Sequence, residues 1–224
     1  MTALTFTLKS NPANKLNCGR LTPNNLRGIS IAEIGNLKLS IAKNSHKIAD
    51  IFKVSGKDTE NIIFKKSSPQ LDFIGHKMSS GSITIEGDCG DFLGANMQSG
   101  NIICQGNAGD RVGDGMRRGL ILIDGSSGNY CGSRMIAGTI GVYGNTGNYT
   151  GFAMKRGTIL LINPVNLHAT IQDCGMHTLP FLALLFQSFK PLTTSFNRIK
   201  TLRVQRFAGD LACNGNGEIL VMQD

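Results

Sequence analysis

The sequence predicts an all-β protein whose centre is a right-handed parallel β-helix, and three observations lead to that prediction. Glycine recurs every nineteen residues, in one column at Gly75, Gly94, Gly113, Gly132, Gly151 and another at Gly81, Gly100, Gly119, Gly138, Gly157. Methionine keeps the same step at Met78, Met97, Met116, Met135 and Met154. A short β-like segment follows each glycine of the second column, at 82–86, 101–105, 120–124, 139–143 and 158–162. The motif G-x-x-M-x-x-G-x-I-x-x-x-G-x-x-G-[DN] is therefore a structural repeat.

The length and glycine content of the unit favour strands over helices. Repeats of paired helices need more residues and tolerate few glycines, whereas glycine permits tight corners between strands. Equal spacing predicts that each strand lies parallel to its copy in the next unit, about 4.8 Å away. A left-handed hexapeptide solenoid would require an aliphatic residue at every sixth position, and the unit does not have that pattern.

Along each predicted strand, successive side chains alternate between an inward face and an outward face. The inward positions are Ile83 and Ile85, Ile102 and Cys104, Ile121 and Ile123, Ile140 and Val142, Ile159 and Leu161. The outward positions are Thr84, Ile103, Leu122, Gly141 and Leu160. Because the outward column is largely aliphatic, we expect the C-terminal segment or another protein to cover it. The methionine column could hold a soft metal, but its apolar neighbours favour packing at a corner of the core.

The N-terminal region, residues 1–54, reads as a small α/β cap. Strands are predicted at 4–9, 37–42 and 48–54. Thr22 and Pro23 form a helix-start signal, and residues 30–33 match a capping box. Residues 55–73 resemble a degenerate repeat in which Phe64 aligns with Ile83, so the β-helix is predicted to span 55–163.

The C-terminal region, residues 164–224, is predicted to hold one helix and two closing strands. The helix begins after Thr178, Leu179 and Pro180 and ends at Lys190-Pro191. It is apolar around most of its circumference, so we expect burial on more than one side, over the outward strand face or at an open end. The strands are predicted at 203–207 and 218–222.

Charge and composition restrict the binding partners and the cellular compartment that the sequence predicts for the protein. The formal net charge is +8, and most of the excess lies on lysines before residue 73. Nucleic-acid binding is disfavoured because no RNA-binding motif and no interleaved aromatic residues accompany this charge. There is no apolar run long enough for a membrane span and no signal peptide, which predicts a cytoplasmic protein. Its six scattered cysteines are expected to be free structural thiols.

Few residues qualify as catalytic or metal-binding candidates. The four histidines are far apart and form no ligand motif, and the varied column of His76 predicts a surface position. The column Asp91, Asp110, Asn129 and Asn148 could suggest acid–base carboxylates, but hydrogen bonds to turn backbone explain it better. No catalytic residue and no metal site is predicted.

Several segments resemble a known family. They are the repeat itself, residues 136–140 and 151–159, the Asp50-Ile-Phe-Lys-Val-Ser-Gly56 segment, and the tail at 207–212 and 217–220. Together they are similar to the C subunit of formylmethanofuran dehydrogenase and to the C subunit of the bacterial formyltransferase/hydrolase complex. The repeat alone is also similar to the C-terminal domain of glutamate synthase large subunits. The degenerate repeat at 55–73 departs from this pattern.

The resemblance implies a non-catalytic β-helical subunit in cytoplasmic one-carbon metabolism. Its complex would move formyl groups between tetrahydromethanopterin and a methanofuran-type carrier, and neighbouring subunits would perform the chemistry. This chain itself would bind no cofactor. Because such carriers bear glutamate-containing tails, a corner cluster of Arg117, Arg118, Arg134, Lys155 and Arg156 could contact an acidic tail. Salt bridges to Asp110 and Asp114, or to a neighbouring subunit, are the alternative role.

Two other functions remain open from the sequence. The chain could be the C subunit of the archaeal-type molybdenum or tungsten formylmethanofuran dehydrogenase, although few charged residues in the repeat and a short chain favour the bacterial complex. It could also be a stand-alone β-helical enzyme acting on carbohydrate. That function would require paired carboxylates on an outer face together with aromatic platforms.

Overall fold

The computed structural model describes residues 2–41 and 44–223. The N-terminal elements are β1 (Ala3–Leu8), β2 (Leu16–Asn17), α1 (Pro23–Leu26), α2 (Ile31–Asn36), β3 (Lys38–Ile41), β4 (Asn44–Lys47), α3 (Ile48–Ile51) and β5 (Phe52–Ser55). Thr22 and Pro23 begin α1, and the Ser30–Glu33 capping box begins α2, as predicted. The strand expected at 48–54 is wrong in its first half, because α3 precedes β5. The predicted strand 37–42 extends to Ala42, which lies outside the described residues.

The repeats form parallel strands that pair at a constant register. They are β6 (Asp58–Ser67), β7 (Leu71–Asp72), β8 (Ser82–Gly87), β9 (Asn101–Cys104), β10 (Leu120–Ile123), β11 (Thr139–Val142) and β12 (Thr158–Leu161). From β8 to β12 the residues that pair between neighbouring strands are nineteen positions apart, as Ile102 and Ile121 are. The predicted stacking of successive units is therefore confirmed.

The degenerate repeat has a different register from the one predicted. Phe64 pairs with Ile85 and not with Ile83, because β6 is offset from β8 by twenty-one residues. An irregularity between Lys65 and Ser67 shortens the offset, and the backbone N–H of Asp91 then bonds to Asp72, nineteen residues before it. The segment from Phe64 to Asp72 is thus two residues longer than its later copy from Ile85 to Asp91.

The C-terminal region adds β13 (Gln172–Thr178), α4 (Phe181–Phe189), β14 (Arg203–Gly209) and β15 (Gly217–Met222). In the described part of the chain, one sheet has eleven strands in the order β13-β14-β15-β12-β11-β10-β9-β8-β6-β1-β5. A second sheet has the order β4-β3-β2-β7. Strands β14 and β15 confirm the two predicted closing strands, whereas β13 was not predicted. The fold is mostly sheet with few helices, as the all-β prediction requires.

The inward face of the repeat strands forms the main core. All ten inward positions are buried, and the five methionines of the column are completely buried beside them. Glycine is required where successive corners approach each other. A Cβ on Gly119, whose φ is +101°, would lie 2.6 Å from the carbonyl oxygen of Gly100 in the preceding repeat. The glycine columns thus allow the units to stack closely enough to bury the isoleucine and methionine columns.

The outward face is covered by the chain's own C-terminal segment. Ile103, Leu122 and Leu160 are buried against Leu182 and Phe189 of α4, and Phe196 completes this second core. A Cβ on Gly141 would lie 2.7 Å from the ring of Phe196, which explains the glycine in the outward column. Burial of α4 on more than one side was wrong, however. Leu184 is 77% exposed, so α4 keeps an apolar side in solvent.

Candidate functional site: two corners of the repeat

The first corner joins each repeat to the next through aspartate and asparagine side chains. Asp72, Asp91, Asp110 and Asn129 each accept, through Oδ1, the backbone N–H of the residue nineteen positions later. The N···O distances lie between 2.7 and 2.9 Å. These bonds satisfy backbone donors at every turn. The structural interpretation of this column is therefore confirmed.

Each acidic residue of the repeats has a hydrogen-bond or ion-pair partner within the fold. Asp88 accepts the backbone N–H of Asn107, and Asp124 accepts from Thr194 and the backbone of Ser195. Glu86 pairs with Lys65 at 3.4 Å. A carbohydrate-cleaving site needs two carboxylates poised across a substrate. Within the described residues, every acid of 73–163 is instead engaged in holding the fold together.

The column of His76 is more buried than predicted. Its later members Ala95, Asp114 and Ser133 are almost fully buried, His76 itself is half-buried, and the last member, Phe152, is exposed. The surface position expected from their variety was therefore wrong for the three middle members of the column. Small and polar residues alternate here because this column lies under a corner where side chains hydrogen-bond along the stack, as the 2.6 Å bond from Ser133 Oγ to Asp114 illustrates.

A column of planar side chains, not predicted from the sequence, lies beside the first corner. Its members directly follow the aspartate and asparagine column: Phe73, Phe92, Arg111, Tyr130 and Tyr149. Phe73 stacks on Phe92 with centroids 4.7 Å apart, and Tyr130 stacks on Tyr149 at 5.0 Å. The Arg111 guanidinium lies between, 4.7 Å from the Tyr130 ring. The same nineteen-residue step that identified the glycines could have found this column.

The second corner carries the predicted arginine cluster. Arg117, Arg118 and Arg156 line one open cleft of about 500 Å³, together with Gln98, Ile136 and Ala137. We call this the arginine cleft. Its residues are held by backbone hydrogen bonds between repeats, such as Arg117 N to Met97 O at 2.8 Å and Ile136 N to Met116 O at 2.7 Å. All three guanidinium groups are exposed, and no carboxylate of the described residues pairs with them.

The other two predicted members of the cluster are engaged elsewhere. Arg134 forms a two-point ion pair with Asp114, with Nε donating to Oδ1 at 2.9 Å, and Lys155 donates to the carbonyl of Cys213. Burial opposes ionisation of Asp114, but hydrogen bonds from Arg134 and Ser133 outweigh it and lower the pKa of that carboxyl. The salt-bridge alternative thus applies to Arg134, and the structure brings together three of the five residues.

The cysteines are free and mostly buried. The sulfur atoms of Cys89 and Cys104 lie 3.7 Å apart, within hydrogen-bonding distance but without a disulfide, and burial raises the pKa of the Cys131 thiol to about 12. Buried, protonated thiols are poor nucleophiles. In residues 2–41 and 44–223, no three metal-ligand side chains come together, and no helix of those residues has the length and apolar character to cross a membrane.

No protein-family model matches the chain, but individual proteins do. The C subunit of the formyltransferase/hydrolase complex from Methylorubrum extorquens is 31% identical over 86 residues, which is 38% of this chain and 32% of that protein. The C subunit of tungsten-containing formylmethanofuran dehydrogenase 2 from Methanocaldococcus jannaschii is 51% identical over 47 residues, 20% of this chain and 17% of that protein. The Methanococcus maripaludis protein of the same name is 30% identical over 92 residues, 40% of this chain and 34% of its own length. These sequence matches span between 17% and 34% of the relatives.

A solved structure extends the similarity over nearly the whole chain. It is the crystal structure of the formyltransferase/hydrolase complex from Methylorubrum extorquens with methylofuran. One of its chains superposes with a TM-score of 0.69 at 26% identity, covering 98% of this chain and 100% of that one. The resemblance seen in the sequence is therefore confirmed: this chain is a homologue of the C subunits of the formyltransferase/hydrolase complex and of formylmethanofuran dehydrogenase.

Proposed function

We propose that this chain is the structural C subunit of a formyltransferase/hydrolase complex. That complex would move formyl groups between tetrahydromethanopterin and a methanofuran-type carrier in one-carbon metabolism. The observation that carries the proposal is the superposition over 98% of this chain on a chain of such a complex, whose structure holds methylofuran. The archaeal-type formylmethanofuran dehydrogenase is the second candidate, because its C subunits are also homologues.

We propose further that residues 55–163 form a right-handed parallel β-helix, flanked by the cap region 1–54 and the closing region 164–224. The constant register of nineteen residues from β8 to β12 supports this architecture. Such a rod is rigid because each repeat packs on its neighbours through both core and backbone. A rigid rod suits a subunit whose task is to hold catalytic neighbours in position.

Catalysis in this proposal belongs to the partner subunits. The carboxylates of the repeats are engaged in structural bonds, and burial raises the pKa of the Cys131 thiol. A reducing cytoplasm suits free thiols such as Cys89 and Cys104, which lie close together without forming a disulfide. The stand-alone carbohydrate enzyme is disfavoured because its paired, available carboxylates are missing from the described residues.

The arginine cleft is the surface that we assign to the carrier. Three exposed guanidinium groups without carboxylate partners among the described residues face a shared volume, and guanidinium binds carboxylate in a two-point geometry. A carrier tail rich in glutamate would supply the missing anions. Of the five residues in the predicted cluster, Arg117, Arg118 and Arg156 carry this role, because Arg134 and Lys155 already have partners.

The assignment as a C subunit is tested by purifying the tagged chain from its native host. We expect a formyltransferase chain and a hydrolase-like chain to co-purify, identified by mass spectrometry, and the isolated chain to have no formyltransferase activity. Metal analysis separates the two candidates, since molybdenum or tungsten in the complex would favour the archaeal type. Purification of the chain alone, or cleavage of a glycan by it, would contradict the proposal.

The carrier surface is tested by changing Arg117, Arg118 and Arg156 together to glutamine. We expect binding of an oligoglutamate peptide at low salt to weaken at least about tenfold, with a smaller dependence on salt. Stability should change by no more than about 0.5 kcal/mol, because these side chains are exposed and unpaired within the described part of the chain. Changing Lys53, Lys57 and Lys66 to glutamine removes the same charge from exposed positions before residue 73 and should leave binding intact. Equal losses in both variants would contradict the assignment.

A further inference from the structure

The columns of the first corner both end one repeat before the last, and they end in the same cleft. Asn148 is the final member of the aspartate and asparagine column, and Tyr149 is the final member of the planar column. Both line a cleft of about 410 Å³ with Asn166, Leu167 and His168. We call it the ladder-end cleft. It is separate from the arginine cleft, and its role does not depend on the function proposed above.

Asn148 presents an acceptor that has a partner in every preceding repeat. Four earlier side chains of this column each accept a backbone N–H at 2.7–2.9 Å. The corresponding N–H for Asn148 would belong to Leu167, nineteen residues later. Leu167 lines the cleft, but no described residue donates to the Asn148 carboxamide. Asn148 is exposed, so the last Oδ1 of the column is an acceptor without a donor among the described residues.

Tyr149 presents an aromatic face at the same position. Tyr130 covers one face of the ring at 5.0 Å, and Tyr149 remains 46% exposed. His168 is farther away, at 6.4 Å and tilted by 40°, so it borders the open face without stacking on it. The column accepts planar groups of two kinds, since both aromatic rings and the Arg111 guanidinium stack within it.

The remaining lining residues define the character of the ligand. Asn166 supplies a carboxamide, and Leu167 supplies apolar surface. The His168 ring is held in place by Thr170 Oγ1, which lies 2.6 Å from its Nδ1. No lysine, arginine, aspartate or glutamate of the described residues lines the cleft. A neutral ligand is therefore favoured over a charged one, with hydrogen-bonding groups on its edge.

We propose that the ladder-end cleft binds a neutral planar nitrogen heterocycle of the purine type, stacked on Tyr149 and donating a ring-edge N–H to Oδ1 of Asn148. The bound ring would occupy the place that a planar side chain occupies in each preceding repeat. Its N–H would take the place of the backbone N–H that Leu167 does not donate to Asn148. Stacking of a base on an aromatic side chain contributes affinity without requiring charge on either partner.

The test measures binding of inosine to the full-length chain by isothermal titration calorimetry. Inosine is neutral and carries a ring N–H beside a carbonyl group, whereas 1-methylinosine lacks that N–H. We expect inosine to bind and 1-methylinosine to bind at least about fivefold more weakly. The Tyr149→Leu variant should weaken inosine binding at least about tenfold. An Asn148→Ala variant should bring the affinities of the two nucleosides to within about twofold of each other.

A matched control distinguishes the cleft from general aromatic exposure. Phe181 of α4 is 43% exposed, close to the value for Tyr149, but lies outside the cleft. The Phe181→Leu variant should bind inosine as the parent chain does. The proposal is overturned if millimolar inosine gives no binding, if Tyr149→Leu binds like the parent chain, or if Phe181→Leu loses as much affinity as Tyr149→Leu. Circular dichroism of each variant establishes that the compared chains are folded.

Discussion

The two corners of each repeat have different roles in the structure, although both recur at the same nineteen-residue step. At the first corner, Asp110 bonds to the next repeat and Arg111 stacks between neighbouring rings. At the second corner, Met116 is completely buried while Arg117 and Arg118, directly after it, point into solvent without partners among the described residues. Polar side chains at the first corner therefore stabilise the stack, whereas charged side chains at the second are available for a ligand.

The comparison teaches that residue type alone does not reveal a binding surface. Arg111, Arg134 and Arg118 are all arginines on corners of the repeat, yet one stacks on rings, one is paired with Asp114, and one is free. What separates them is whether an acid or an aromatic ring occupies the neighbouring position one repeat away. The following changes test this division between stabilising and available side chains.

The largest effect is expected from Met116→Ala, on the buried side of the second corner. Met116 is completely buried, and truncation leaves a cavity that close neighbours cannot fill. We expect the free energy of unfolding in urea to fall by about 2–5 kcal/mol. Arg117→Ala, one residue later but exposed, should change it by no more than about 0.5 kcal/mol. Similar losses for the two variants would remove the distinction between the inner and outer sides of this corner.

A smaller loss is expected from Asp110→Ala at the first corner. The substitution removes the acceptor that lies 2.7 Å from the backbone nitrogen of Asn129, and it should destabilise the chain by about 1–3 kcal/mol. Asp110→Asn is the matched control, because asparagine performs the same role at position 129. Thermal unfolding should therefore distinguish the two variants. If alanine and asparagine were tolerated equally, the column would not be needed for stacking.

The smallest effect concerns pH and the Asp114–Arg134 pair between the corners. The pKa of Asp114 is lower in the folded chain than its ordinary value of 3.8, since its bonds to Arg134 and Ser133 outweigh burial. The pair therefore contributes fully above that value, and its contribution is lost as pH falls through the lowered pKa. The melting temperatures of the parent chain and Asp114→Asn should differ near neutral pH and converge in acid. A difference independent of pH would exclude this ion pair as its source.

The accuracy of prediction from sequence followed the strength of the periodic signal. The five repeat strands β8 to β12 were predicted within one residue at each end, because five copies reinforced each position. Phe64 was misaligned because 55–73 holds a single irregular copy, in which two additional residues before Asp72 shift the register. Residues 48–51 were predicted as a strand since their apolar pattern is short, and the Asp50 side chain instead caps a helical turn through the backbone N–H of Lys47.

The candidate sites were likewise predicted only where the repeat spacing reveals them. The arginine cluster was predicted from shared columns, but the engagement of Arg134 by Asp114 and of Lys155 by Cys213 depends on contacts that sequence spacing does not reveal. The planar column from Phe73 to Tyr149 was present in the spacing but was missed because its members differ in chemical type. Arg111 is part of this column because its guanidinium group lies between the rings of Phe92 and Tyr130.

By itself, the sequence determined the repeat, the direction of its strands, the identity of its buried columns and the need for a cover on the outward face. Those features follow from periodicity, because identical spacing repeats the same local geometry in every unit. The tertiary structure alone decided which side chains remain free, which side of α4 faces solvent, and where the aspartate and asparagine column and the planar column of the first corner end. These depend on distances between residues far apart in the chain, and no local pattern encodes such distances.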